Sequence, residues 1–163
     1  MQRENVTINV TVNGKCFERS VEPRRLLSDF LRQDIFQTGT HVGCEHGICG
    51  SCSVLVDGKS TRSCLMFAVM ADACEIETIE GLGDAANMHP LQEGFWQKHG
   101  LQCGFCTSGV MMVALELLRE NPSPTRAEIR EALTGNLCRC TGYQTIVDSI
   151  ERAAEIMREG AAQ

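Results

Sequence analysis

The first eighty residues alternate apolar and polar positions over short segments, a pattern that predicts β-strands. Apolar side chains take every second position at the start of the chain: Val6, Ile8, Val10 and Val12. The Asn13-Gly14 pair that follows is typical of a two-residue turn between antiparallel strands. The later segments CSVLVDGKS and CEIETIEG also read as strands. The pattern therefore predicts a small sheet that begins with a hairpin.

Helical spacing occurs once inside this region and then dominates the rest of the chain. The segment PRRLLSDFLRQ carries apolar side chains on one helical face, which predicts a helix packed on the sheet. Beyond Gly81 and Gly83, four segments have the helical period: HPLQEGFWQKHG, SGVMMVALELLRE, TRAEIREAL and YQTIVDSIERAAEIMRE. Thr125 and Glu128 form a capping-box pattern before the third of them. We predict an α+β protein with two domains, residues 1–83 and 84–163.

Composition and charge narrow the classes of function. The chain has 163 residues, 43% of them hydrophobic, and a net charge of -6, which argues against a nucleic acid or an anionic membrane surface as partner. No apolar run is long enough to cross a bilayer, and the opening MQRENVTINV lacks the apolar centre of a signal peptide. We therefore expect a cytoplasmic protein. Its ten cysteines should then stay reduced, which favours metal binding or catalysis over disulfides.

Four cysteines lie in the segment CEHGICGSCSVLVDGKSTRSC. Cys44, Cys49, Cys52 and Cys64 are separated by four, two and eleven residues, which is the spacing of plant-type 2Fe–2S ligands. Glycines let a loop wrap closely around such a cluster, and the chain offers Gly43 directly before this segment and Gly47 and Gly50 within it. A zinc site or ordinary loop cysteines are the alternatives that spacing leaves open.

Four more cysteines lie in the helical region. Cys103 and Cys106 precede one predicted helix, and Cys138 and Cys140 precede another. Two pairs from neighbouring turns can form a four-thiolate site once the helices pack together. Spacing alone does not distinguish zinc from a second 2Fe–2S cluster here, although a first cluster in the same chain favours a second redox centre.

Two cysteines remain outside both sets. Cys74 is in phase with Ile76 on a predicted strand, so we expect it to point into the core. Cys16 is expected opposite Thr11 in the hairpin, on the face away from the core. Neither is a predicted ligand.

Three of these segments together resemble a known family. VGCEHGICGSCSVLVDGKSTRSC, GLQCGFCTSGVMM and GNLCRCTGYQTIV are similar to the iron–sulfur small subunits of the molybdenum hydroxylases, the xanthine oxidase family. The likeness includes the small chains of aerobic carbon monoxide dehydrogenases and of bacterial N-heterocycle or aldehyde hydroxylases. It implies a β-grasp, ferredoxin-like domain followed by a four-helix domain, each with one 2Fe–2S cluster.

The resemblance also implies partners and residue roles. A large subunit would hold a molybdenum-pterin cofactor and a medium subunit FAD, in a dimer of heterotrimers. The cluster at Cys44 to Cys64 would lie nearer the flavin and the cluster at Cys103 to Cys140 nearer molybdenum, with Gln102 beside the pterin. This chain would carry electrons from molybdenum to FAD, with no catalytic residue of its own. A zinc-stabilised binding module and a freestanding ferredoxin are the rival interpretations; the substrate and the final acceptor stay open.

Overall fold

The computed structural model describes residues 4–161, and the first half of this range forms a five-stranded mixed sheet. The strands are β1 (Val6–Val12), β2 (Lys15–Val21), β3 (Ser53–Val56), β4 (Lys59–Arg62) and β5 (Glu75–Glu77). Their order across the sheet is β2-β1-β5-β3-β4. The central pair β1 and β5 is parallel, and the other neighbours are antiparallel. This mixed topology confirms the predicted β-grasp arrangement.

Two tight turns explain how short strands pair in this sheet. Asn13 and Gly14 have φ of 50° and 74°, as the predicted hairpin turn requires, and Thr11 lies opposite Cys16. Asp57 and Gly58 form a second turn of the same kind, with φ of 49° and 80°. The segment CSVLVDGKS is therefore not one strand, because it bends there from β3 into β4.

The predicted helix packs on one face of the sheet. It is α1 (Leu27–Asp29), which continues as a π-helical turn over Phe30–Asp34. Its buried Leu27, Phe30 and Leu31 belong to the same core as Ile8 and Ile76. The first strand reaches beyond this core, so Val6 is 43% exposed although it shares the face of the buried positions.

The second half contains the four predicted helices, which are α2 (Pro90–Lys98), α3 (Thr107–Glu120), α4 (Arg126–Ala132) and α5 (Gln144–Ala161). The Thr125 and Glu128 capping box is present at the start of α4. Helix α3 is buried around most of its circumference and forms the centre of this part. Across residues 4–161, the helices are all too short or too polar to span a membrane.

Strand β3 contributes to both hydrophobic cores. Val54 packs with the core beneath α1, whereas its neighbour Leu55 is buried with Leu115 and Leu118 of α3. Successive strand side chains point to opposite faces, so α1 and α3 cover the two faces of the sheet. This explains why SVLV is continuously apolar.

Ion pairs reinforce the contact between α3 and the sheet. Arg119 donates to both carboxylate oxygens of Glu77 in β5, at 2.6 and 2.8 Å, and this pairing lowers the pKa of Glu77. One carboxylate oxygen of Glu116 accepts the N–H of Ser60 in β4 at 2.9 Å. The helical part is therefore docked on the sheet by polar as well as apolar contacts. The domain boundary at residue 83 remains a prediction.

Candidate functional site

The β3–β4 hairpin brings two cysteines of the first set side by side. Cys52 directly precedes β3, and Cys64 lies in the helical turn Ser63–Leu65 that follows β4. The N–H and the hydroxyl of Ser63 both donate to the carbonyl of Cys52, at 3.3 and 2.7 Å. Cys52 and Cys64 are buried, and their thiols interact directly.

The other two cysteines of this set are joined by a tightly wound loop. The N–H of Cys49 lies 3.4 Å from Sγ of Cys44, and the two side chains interact. The imidazole Nδ1 of His46 hydrogen-bonds the carbonyl of Cys44. Glu45 and Gly47 both have positive φ, 56° and 80°, which turns the chain sharply between the two thiols. The first set therefore consists of two sulfur pairs.

Glycines allow the loop that carries Cys44 and Cys49 to pack closely against neighbouring residues. A Cβ on Gly47 would lie 2.3 Å from Cδ1 of Leu65, and a Cβ on Gly50 would lie 2.3 Å from the carbonyl oxygen of Gly135. Gly50 also has φ of 73°, which side chains rarely adopt. Gly43 lies against the sulfur of Cys49. All three predicted loop glycines thus lie where the chain around the first set approaches another part of the protein closely.

The second set also consists of two sulfur pairs, which the helical packing brings together. Cys106 directly precedes α3, and Cys138 and Cys140 lie in the loop before α5. The sulfurs of Cys103 and Cys140 are 3.5 Å apart, and those of Cys106 and Cys138 interact directly. Cys103 and Cys140 are exposed, whereas Cys106 is buried. The Cys103–Cys140 pair therefore faces solvent, and the Cys106–Cys138 pair lies toward the protein interior.

Tyr143 holds the loop of the second set in place. Its hydroxyl accepts the N–H of Cys138 at 2.9 Å and donates to the carbonyl of Asn136 at 3.1 Å. The hydroxyl of Thr141 lies 3.2 Å from Sγ of Cys138. Gly142 and Tyr143 both have positive φ, 65° and 69°, which reverses the chain before α5. These contacts bring Cys138 and Cys140 toward the turn that carries Cys103.

The thiols differ in how easily they ionise. Hydrogen bonds from the N–H groups of Cys49 and His46 lower the pKa of Cys44 to about 6. Burial, followed by the neighbouring Cys52, raises the pKa of Cys64 to about 11. Burial next to Cys138 raises the pKa of Cys106 to about 12. A bound metal is the usual compensation for the cost of a buried thiolate, so these inward thiols suit ligands.

Hydrogen bonds connect the two sets directly. The N–H of Leu137 donates to the carbonyl of Cys49 at 2.8 Å, and Leu137 is the neighbour of Cys138. The side-chain amide of Asn136 donates to the carbonyl of Gly50 at 3.1 Å. Cys49 of the first set and Cys138 of the second set are therefore connected by one hydrogen bond and a few covalent bonds.

The sulfur geometry fits a two-iron cluster better than a single ion. Within the described part of the chain, no three His, Cys, Asp or Glu side chains are arranged around one metal ion. Each iron of a 2Fe–2S cluster takes two protein thiolates, and the thiols here occur as two neighbouring pairs in each set. The donors and their grouping therefore fit one such cluster in each set.

Buried polar atoms without partners support the same fit. Four such atoms lack a hydrogen-bond partner within residues 4–161: Ser28 Oγ, Thr40 Oγ1, Ser108 Oγ and Asn136 Oδ1. Three of these residues lie within four positions of a cysteine in the two sets. Two of the three, Thr40 Oγ1 and Ser108 Oγ, are hydroxyls, which donate to cluster sulfurs, whereas the amide oxygen of Asn136 only accepts.

Comparison with known proteins agrees with this geometry. Residues 10–79 match the family described as "2Fe-2S iron-sulfur cluster binding domain", and residues 78–151 match "[2Fe-2S] binding domain". The nicotine 6-hydroxylase small subunit of Paenarthrobacter nicotinovorans is 54% identical over 90% of this chain and 88% of that protein. The chain belongs to the small iron–sulfur subunits of the molybdenum hydroxylase family.

Other members of this molybdenum hydroxylase family have the same fold. Quinoline 2-oxidoreductase from Pseudomonas putida 86 superimposes with a TM-score of 0.92 at 50% identity, over 96% of this chain and 98% of that chain. The aldehyde oxidoreductase from Desulfovibrio gigas gives a TM-score of 0.91 at 42% identity, over 95% of this chain but 17% of that chain. The small subunit therefore corresponds to one segment of a longer protein in that case.

Several residues of the small subunit were not recognised from its sequence. The contacts of Asn136 and Leu137 with the first loop join positions more than eighty residues apart. Tyr143 follows a Cys-x-Cys pair at a distance of three residues, but no local rule assigns its hydroxyl to Cys138. Cys74 is only half buried and lies beside the carbonyls of Met70 and Asp72, because β5 begins at Glu75. The prediction that Cys74 enters the core was wrong.

Proposed function

We propose that the eight paired cysteines are the ligands of the two clusters of this electron-transfer subunit. The first 2Fe–2S cluster would be held by Cys44, Cys49, Cys52 and Cys64, and the second by Cys103, Cys106, Cys138 and Cys140. The observation that carries this assignment is the grouping of the sulfurs into two pairs in each set.

When bound, 2Fe–2S clusters supply one-electron transfer, and the residues of the chain hold, shield and connect them. Cys52, Cys64 and Cys106 keep one side of each site away from water, since all three are buried. The hydrogen bond from Leu137 to Cys49 provides a short connection between the two ligand sets. No residue of this chain forms or breaks a substrate bond in this proposal.

We further propose a direction for the electron. The second set would face the molybdenum-pterin subunit, since Cys103 and Cys140 are exposed and Gln102 lies exposed beside Cys103 at that surface. The first set would face the FAD subunit, where Ile48 and Leu65 are each 60% exposed next to the ligands. Leu65 lies against Gly47, the neighbour of Ile48, and contiguous apolar side chains at a surface are typical of contacts between proteins. A dimer of such heterotrimers in the cytoplasm, where thiols stay reduced, is the assembly we propose.

Metal and sulfide analysis of the purified complex tests the ligand assignment. We expect about four iron and four inorganic sulfide per copy of this chain, because two clusters require that number. The alternative, a structural zinc site in the helical part, predicts about half that iron and one zinc per chain. Colorimetric iron and sulfide assays with elemental analysis for zinc distinguish the two compositions.

A further inference from the structure

Two aromatic side chains that are not predicted ligands, one near each cysteine set, are in contact with each other. His41 lies three residues before Cys44, and Phe105 lies between Cys103 and Cys106. The imidazole Nδ1 of His41 hydrogen-bonds the carbonyl of Phe105 at 2.9 Å. The two rings stack with centroids 5.0 Å apart and an interplanar angle of 15°. A hydrogen bond and a ring stack therefore join His41, just before the first set, to Phe105, within the second set.

The Phe105 ring also reaches the first ligand set. From the position that a Cβ on Gly43 would occupy, the Cε1 atom of Phe105 is 3.2 Å away and the sulfur of Cys49 is 3.3 Å away. Gly43 is thus enclosed between the ring and the sulfur, and any side chain there would separate them. The ring of Phe105, which belongs to the Cys103–Cys106 turn, therefore lies close to Cys49, a candidate ligand of the first set.

Neither residue holds a cluster in the proposed function. Phe105 is 46% exposed and contributes little to either hydrophobic core, so stability of the fold does not explain its placement. The hydrogen bond from Leu137 to Cys49 connects the first loop to a different part of the second set, the loop that carries Cys138 and Cys140, through main-chain atoms alone. The stack of His41 on Phe105 is therefore a second contact between the two sets, and side chains form it.

We propose that His41 and Phe105 are positioning residues that fix the separation and packing of the two cluster sites. This inference rests on the proposed function, in which one electron leaves one cluster and arrives on the other without a bond change or proton transfer. The rate of such a transfer falls steeply as the distance grows or as packed atoms are replaced by solvent. Loss of the stack lets the Cys44–Cys49 loop move away from the Cys103–Cys106 turn.

Variants of Phe105 in the intact complex test the proposal. Phe105→Ala and the milder Phe105→Leu should keep about four iron per chain. In the fully reduced complex, the magnetic splitting between the two cluster signals should shrink in both variants. After flash reduction by one electron, equilibration between the clusters should be slower in Phe105→Ala than in the unaltered complex, with Phe105→Leu between the two. Trp96→Ala, which removes a 76% exposed aromatic ring elsewhere, should change neither quantity.

Variants of His41 separate the hydrogen bond from the stack. His41→Asn keeps a donor near the position of Nδ1, and His41→Phe keeps the ring; each should retain part of the splitting that His41→Ala loses. Wild-type splitting and rate in Phe105→Ala with both clusters present would overturn this inference and leave the proposed function intact. Absence of the two clusters from the unaltered complex would instead overturn the proposed function.

Discussion

Replacing Cys106 by serine should remove one cluster and leave the other. We expect about two iron and two sulfide per chain in place of about four, because serine is a poor ligand in a site built from four thiols. Cys106 is buried at the start of α3, so its loss also withdraws metal-binding free energy from the helical part. Cys49→Ser should remove the other cluster in the same way. Iron analysis and the two paramagnetic signals of the reduced protein measure both losses separately.

Serine at the two remaining cysteines provides the matched control. Cys16 is exposed on the hairpin beside Thr11, with 3.6 Å between its sulfur and the threonine hydroxyl oxygen. Cys74 is half buried beside two main-chain carbonyls. Both variants should retain full iron and both signals. Loss of a cluster from Cys16→Ser, or retention of both clusters in Cys106→Ser, contradicts the ligand assignment.

Gly50→Ala should cause a large loss of stability, since it introduces a clash as well as backbone strain. The new Cβ would lie 2.3 Å from the carbonyl oxygen of Gly135, at a φ of 73°. The carbonyl of Gly50 accepts the amide of Asn136, so movement of this residue also disturbs the contact between the two ligand loops. We expect a loss of about 2 to 4 kcal/mol in the free energy of unfolding, measured by urea denaturation.

Gly58→Ala separates the clash from the strain. Gly58 has φ of 80°, but a Cβ there would meet nothing within 4 Å. Its substitution should cost about 1 kcal/mol, the strain of the left-handed conformation alone. Equal losses in the two variants would show that the carbonyl of Gly135 yields to the new methyl group, in which case the close approach at Gly50 has no structural importance.

Local patterns predicted the elements whose structure depends on near neighbours. Asn13 and Gly14 adopt positive φ because the turn demands it, and the four helices occur where apolar residues recur at helical spacing. The first cysteine set was predicted from its spacing, which is that of plant-type 2Fe–2S ligands. These features require no knowledge of distant contacts.

The remaining features depend on tertiary contacts between distant positions, which local sequence patterns do not reveal. Leu55 enters the helical core only because α3 covers the second face of the sheet. Phe105 and His41 stack although sixty-four positions separate them, and no local pattern pairs one with the other. The half-exposed Cys74 reflects the late start of β5, and such strand boundaries are set by pairing partners rather than by alternation.

Reductive titration of the purified complex, followed by electron paramagnetic resonance, tests the electron-transfer role most directly. Two clusters on this chain predict two distinct signals, each equivalent to one unpaired electron per chain when fully reduced. Both should appear as substrate or dithionite is added and disappear when an oxidant is added. A single signal of one electron per chain, or none, would contradict an electron path through two 2Fe–2S sites.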